Sequence, residues 1–108
     1  MTKLDEWLVQ LEQEQAAERE YSDTSVRAEP GRKYIRILIG SSVRYFVEVA
    51  TGVIFGSESW RKPNLRRQFG TLDTFQQFDW TGYEGKAKPD SEFVMVKTSG
   101  PYYTAVRK

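Results

Sequence analysis

The sequence of 108 residues contains no histidine and no cysteine. Without histidine it lacks the commonest general base, and without either residue it lacks the usual ligands of zinc. Disulfide bonds and thiolate chemistry are excluded for the same reason. Loops of the P-loop type and Gly-x-Ser-x-Gly nucleophile motifs are also missing. These absences predict a protein that is not an enzyme and that carries no cofactor and no metal.

Long hydrophobic runs are absent as well. No stretch approaches the roughly 20 apolar residues that a membrane-spanning helix needs. The N-terminus reads Met-Thr-Lys-Leu-Asp-Glu-Trp and has no apolar signal core, so we expect neither export nor a membrane partner. Apolar residues make up 39% of the chain and aromatic residues 14%, which is enough for one compact core. We therefore expect one soluble domain.

The formal net charge of +1 hides an uneven distribution of charge along the chain. Residues 1–30 carry eight acidic and three basic side chains, whereas residues 31–72 carry two acidic and eight basic ones. A charge separation of this kind gives information about what the protein binds more than about how it folds. It has two interpretations. Either the acidic segment lies beside the basic one and neutralises it, or the basic surface is available to a partner.

The apolar pattern divides the chain into an acidic N-terminal segment, residues 1–30, and a small β domain, residues 31–108. The first segment is predicted to contain a helix at residues 3–20, followed by an irregular linker. One face of that helix is apolar at helical spacing and consists of Leu4, Trp7, Leu8 and Leu11. The helix either covers the sheet or presents an exposed Trp7 and a polar end to a protein partner.

Alternation of apolar and polar residues predicts five short strands in the β domain. They are residues 33–39, 43–50, 53–56, 92–98 and 102–107. A short helix is expected near residues 71–78. The predicted class is α+β, with an N-terminal helix and a five-stranded antiparallel sheet or a small barrel of the SH3-like or OB-like kind.

Residues 57–72 form the least ordinary part of the chain. Because Pro63 cannot donate to a strand ladder, we expect a long ordered loop that crosses from the third strand to the last hairpin. Four cations lie between Trp60 and Phe69, namely Arg61, Lys62, Arg66 and Arg67. Trp60, Phe69 and Leu72 are expected to anchor this loop to the core, which leaves the four cations facing outward.

Cations next to aromatic rings are typical of sites that bind phosphate-bearing ligands. Arginine offers a planar fork for phosphate, and an aromatic ring offers a stacking surface for a base. Arg36 and Arg44, on neighbouring predicted strands, are expected to share one face with Tyr34 and Phe46. OB-like domains hold single strands on such a face. The alternative is that the arginines pair with glutamates of the same molecule.

Two segments resemble a known group of proteins. They are Phe46-Val47-Glu48-Val49-Ala50-Thr51-Gly52 and Ser59-Trp60-Arg61-Lys62-Pro63, and the chain continues through Asn64-Leu65-Arg66-Arg67-Gln68-Phe69-Gly70-Thr71-Leu72. In this pattern, which covers about residues 33–72, the chain resembles small proteins encoded by tailed bacteriophages. The resemblance implies a phage origin, with the protein in the cytoplasm of the infected bacterial host or in the virion. It implies no catalytic residues.

Three hypotheses of function stay open from the sequence. The favoured one is a non-enzymatic protein that docks on a host or phage protein, because a net charge near zero is modest for a nucleic-acid binder. The alternative is binding of single-stranded nucleic acid or a nucleotide through residues 60–69. The third is sequestering of a small nucleotide between Trp60, Trp80, Tyr83 and Arg66. A homo-oligomer is compatible with each hypothesis.

Overall fold

The computed structural model describes residues 2–18, 24–98 and 100–108. Within these ranges the chain forms a helix, α1 (Lys3–Glu18), and a 3-10 turn at Phe75–Gln77. The strands are β1 (Val26–Glu29), β2 (Tyr34–Ile39), β3 (Ser42–Glu48), β4 (Val53–Ser59), β5 (Lys62–Thr71), β6 (Phe78–Asp79), β7 (Lys86–Ala87), β8 (Phe93–Lys97) and β9 (Tyr103–Arg107). The predicted α+β class is confirmed. The last two positions of the predicted helix, residues 19–20, lie outside the described residues.

Strands β1 to β5 form one antiparallel sheet in chain order, with β1 and β5 at its two ends. Because those end strands do not pair with each other, the sheet is open and is not a closed barrel. Hairpin β8–β9 forms a separate two-stranded sheet, as do β6 and β7. The predicted number of strands in the main sheet is confirmed, but its membership is wrong, because β1 and β5 take the places expected for the last hairpin.

Strand β5 corrects the prediction of a long crossover loop. Residues 57–72 contain the end of β4, a turn at residues 60–61 and the whole of β5. Pro63 lies opposite Ser57, next to a register shift, on a strand that ends the sheet. Proline is tolerated at such places because the ladder does not need its missing N–H. The basic and aromatic stretch is therefore one arm of a hairpin.

Helix α1 packs its apolar face on one side of the sheet, in what we call the first core. Trp7 has no exposed surface and meets the rings of Tyr45 and Trp80 edge-on, with centroids 5.7 and 5.2 Å apart. Burial in this core raises the pKa of the Tyr45 hydroxyl far above its ordinary value. Buried Gln15 donates hydrogen bonds to the carbonyl oxygens of Trp80 and Gly82. Of the two predicted roles for this helix, covering the sheet is confirmed, and presenting an exposed Trp7 to a partner is wrong.

A smaller second core lies on the opposite face of the sheet. Its fully or nearly fully buried members are Leu38, Val43, Phe46 and Phe55. The Tyr34 ring meets the rings of Phe46 and Phe55 edge-on, at 6.1 and 6.3 Å between centroids. Apolar side chains therefore occupy both faces of strands β2 to β4, which explains why each face of these strands carries large residues.

A β-bulge in the second ladder places Arg44 on an unexpected face. The β2–β3 register pairs Ile37 with Tyr45. The next pair is Leu38 with Val43, so Arg44 is an extra residue on β3. Strict alternation then fails, and Arg44 is buried instead of lining the outer face beside the rings of the second core. The predicted shared face of Arg44 and Phe46 is wrong.

Candidate functional site

An open groove lies beside the β4–β5 hairpin and the turn that leads into β9. Its volume is about 850 Å³. The lining residues that matter below are Tyr34, Lys62, Leu65, Arg66, Arg67 and Tyr102. The groove therefore combines basic side chains with flat or apolar ones, but its rings are those of Tyr34 and Tyr102 and not the predicted Trp60 and Phe69.

Three cations at the hairpin end stay exposed. Arg61 and Arg66 form no ion pair with any residue that the structure describes. Lys62 lies 3.9 Å from the carboxylate of Glu58, and both side chains are more than half exposed, so this pair is held weakly. The Asn64 side chain accepts a hydrogen bond from the Arg66 backbone N–H at 3.1 Å and fixes the local backbone. The prediction that these three cations face outward is confirmed.

Arg67, next along β5, is buried, with only 6% of its side chain exposed. Successive strand residues point to opposite faces, so Arg67 shares the face of Phe69 and not that of Arg66. Its guanidinium pairs with Glu84. One terminal nitrogen lies 3.5 Å from the Ser57 carbonyl oxygen, and Nε has no acceptor in the part of the chain described. The prediction that Arg67 faces outward is wrong.

Sequence reasoning missed Tyr102 as a groove residue. The Arg67 guanidinium carbon lies 4.6 Å from the centre of the Tyr102 ring, which places the cation over one ring face. Tyr102 is nevertheless 44% exposed and lines the groove. The available signal was an aromatic residue directly after the Gly100-Pro101 turn, but strand alternation alone did not say which surface it would join.

Arg36 and Trp60 are joined at the rim of the sheet. Arg36 Nη1 donates a hydrogen bond to the Trp60 carbonyl oxygen at 3.3 Å, and Arg36 Nε lies 3.7 Å from the Glu29 carboxylate. The Trp60 side chain is 48% exposed, because it sits in the turn of the hairpin. The expectation that Trp60 anchors a loop to the core is therefore wrong, whereas Phe69 is fully buried and does so.

Arg44 lies away from the groove and holds a loop. Its Nε and one terminal nitrogen donate to the Tyr83 carbonyl oxygen at 3.1 and 2.7 Å, and its guanidinium carbon lies 4.2 Å from the centre of the Tyr83 ring. Trp80, in the same loop, has no exposed surface. The proposed nucleotide cage of Trp60, Trp80, Tyr83 and Arg66 is not assembled, since Trp80 is inaccessible and Tyr83 does not line the groove.

Among the side chains that the structure describes, no carboxylate of α1 forms an ion pair with a cation of the β4–β5 hairpin. Over residues 2–18, 24–98 and 100–108, the ion pair that involves α1 joins Lys3 to Asp73. Glu14 instead accepts a hydrogen bond from the Trp80 backbone N–H at 2.8 Å. The strand cations find their partners among Glu29, Glu58, Glu84 and Glu92. Arg61 and Arg66 are thus left available for a ligand.

The geometry defines a class of protein: a small α+β domain with an open groove that is basic and partly aromatic. Comparison of the chain with protein-family models, with curated proteins and with solved structures finds no match. No helix among the described residues is long and apolar enough to cross a membrane. Nor do these residues contain a cluster of three or more side chains suited to a metal ion.

Proposed function

We propose that this protein is a non-enzymatic binding protein whose groove holds single-stranded nucleic acid. One observation carries the proposal: exposed cations and an exposed aromatic ring line the same open groove. Lys62 and Arg66 supply the positive charge, and Tyr102 supplies the ring. Phosphates are held by such cations and bases stack on such rings, without any need for sequence-specific hydrogen bonds.

The sequence favoured docking on a host or phage protein. That hypothesis relied on an exposed side chain, which is not exposed in the structure. That side chain is Trp7, and it is enclosed by the protein's own core. An acidic peptide in the same groove is the form of this hypothesis that the charges still allow. The phage origin, and with it a location in the infected host or in the virion, stays a prediction from the resemblance.

The first test measures binding of a fluorescein-labelled oligothymidylate by fluorescence anisotropy over a range of salt concentrations. We expect the logarithm of the affinity to fall linearly with the logarithm of the salt concentration, by about 0.7 for each phosphate contact. A glutamate-rich peptide of the same length serves as the comparison ligand. Affinity that does not change with salt contradicts the proposal, and tighter binding of the peptide assigns the groove to a protein partner.

A pair of variants connects that binding to the groove. K62A/R66A removes the two exposed cations that line the groove, and K86A/K88A removes two exposed cations that do not line it. We expect K62A/R66A to lower both the affinity and the salt slope, by about 0.7 in slope for each phosphate that is no longer neutralised. K86A/K88A should behave as the unmodified protein. Equal effects of the two variants would show that net charge, and not this groove, produces the binding.

A further inference from the structure

Resting on the proposed function, we infer that Tyr102 is a base-stacking residue and that Arg67 positions its ring. The protein then recognises unpaired bases and not merely a polyanion. Such a site has no sequence preference, because every base has a stacking face. It discriminates against duplexes, because paired bases are already stacked inside the helix.

The position of Tyr102 is fixed by its backbone before any ligand arrives. Its carbonyl oxygen accepts hydrogen bonds from the Thr98 backbone N–H at 2.9 Å and from the Thr98 hydroxyl at 3.1 Å, which closes the turn of the β8–β9 hairpin. The hydroxyl of Thr104, two residues further on, accepts a hydrogen bond from the Gln68 backbone N–H at 2.7 Å and donates one to the Gln68 carbonyl oxygen at 3.3 Å. Strand β9 is thereby attached to the edge of β5.

The Tyr102 ring is fixed by a cation that cannot move freely. The Arg67 guanidinium lies against Gly56, where an added Cβ atom would lie 2.9 Å from the guanidinium carbon. Glu84 holds the same guanidinium by an ion pair. Arg67 covers one face of the Tyr102 ring, and the ring keeps exposed surface and lines the groove. A platform that is already ordered loses little conformational entropy when a base stacks on it.

Charge complementarity favours a nucleotide over an apolar occupant at this platform. Lys62 and Arg66 line the same groove as the ring, so a base on Tyr102 can have its phosphate near a cation. Because Arg67 is committed to Glu84 and to the ring, it acts through Tyr102 and not as the phosphate ligand.

The test compares two ligands that have the same phosphates, an oligothymidylate and an abasic oligonucleotide of equal length. We expect Y102A to lower the affinity for the oligothymidylate by about fivefold or more, and to leave the affinity for the abasic strand unchanged. Y103A is the matched control, because Tyr103 is 43% exposed, nearly as much as Tyr102, but does not line the groove. Y103A should change neither affinity.

R67K tests the positioning role. We expect it to weaken binding of the oligothymidylate only, and to add no further loss in the double variant Y102A/R67K. A circular dichroism spectrum checks that each variant is folded, and Y102F, which keeps the ring, should restore binding. An equal loss for both ligands in Y102A, or no loss for either, overturns the inference. Failure of the proposed function is distinguishable, since the unmodified protein would then bind neither strand in a salt-dependent way.

Discussion

Trp7 and Trp60 place the same side chain in two regions of opposite character. Trp7, on α1, has no exposed surface and meets two other rings in the first core. Trp60, in the turn of the β4–β5 hairpin, is 48% exposed beside exposed cations. The sequence pattern predicted a core role for Trp60 and left open whether Trp7 covers the sheet or is exposed. Where an aromatic residue acts depends on what the fold places against it, so the first core supplies stability and the hairpin end supplies the candidate binding surface.

The same contrast holds for arginines that are neighbours in the chain. Arg66 is exposed and forms no ion pair in the described part of the molecule, whereas Arg67 is buried against Gly56, Glu84 and Tyr102. A shift of one residue along a strand exchanges the two faces of the sheet. Two adjacent cations can therefore have separate roles, one toward a ligand and one toward the architecture that holds the ligand site.

The largest expected effect tests the comparison of the two tryptophans directly. W7A removes a fully buried ring from the first core and should lower the free energy of unfolding by about 3–5 kcal/mol. W60A removes a half-exposed ring and should change it by no more than about 0.5 kcal/mol. Urea denaturation followed by circular dichroism measures both. Similar midpoints for the two variants would contradict the assignment of stability to the first core.

A smaller effect is expected from two glutamates that each pair with a cation of the β4–β5 hairpin. E84A leaves the buried Arg67 without its carboxylate and should cost about 2–3 kcal/mol, because an unpaired buried charge is expensive. E58A breaks an exposed pair with Lys62 and should cost less than about 0.5 kcal/mol. The same denaturation experiment compares them. If E58A proves as destabilising as E84A, burial does not distinguish the two ion pairs.

The smallest expected effect is on the pH dependence of stability, through the carboxylate of Asp79. The Thr81 backbone N–H and then the Thr81 hydroxyl hold the pKa of Asp79 below its ordinary value of 3.8. The folded state thus binds this proton less readily than the unfolded state, so the stabilisation is present above about pH 4 and is lost as the pH falls through the folded pKa. D79N keeps an acceptor oxygen but does not titrate.

The stability of D79N should therefore decline less steeply than that of the unmodified protein as the pH falls below about 4. Thermal denaturation at several pH values measures the slope. Parallel curves for the two proteins would mean that Asp79 does not contribute to the acid dependence.

Strand prediction succeeded where the alternation was uninterrupted and failed where it was broken. The sequences of β2, β3 and the β8–β9 hairpin alternate with a period of two, and these strands were predicted close to their observed bounds, although the bulge at Arg44 breaks the alternation inside β3. Strand β1 has only four residues, so its alternation is too short to distinguish it from a linker. Strand β5 contains Pro63, which argued against a strand until its position at the irregular end of an edge ladder was known.

The candidate site was predicted in composition but not in geometry. Arg61, Lys62 and Arg66 are recognisable as a basic cluster from residues 57–72 alone. Tyr102 joins Lys62 and Arg66 in the groove although it lies far along the chain, because β9 is attached to the edge of β5. Arg44 and Arg67 could not be excluded beforehand, since a bulge and the β5 register, both set by pairing with other strands, decide which way they point.

The sequence by itself determined the α+β class, the helix with its apolar stripe, most of the strands and the position of the basic cluster, because each depends on local spacing and composition. The tertiary structure alone decided which aromatic residues are enclosed and which cations are exposed. Those outcomes depend on contacts between residues distant in the chain: Trp7 on Trp80, Arg67 on Glu84 and Tyr102. Burial and pairing are properties of such contacts, and no local pattern encodes them.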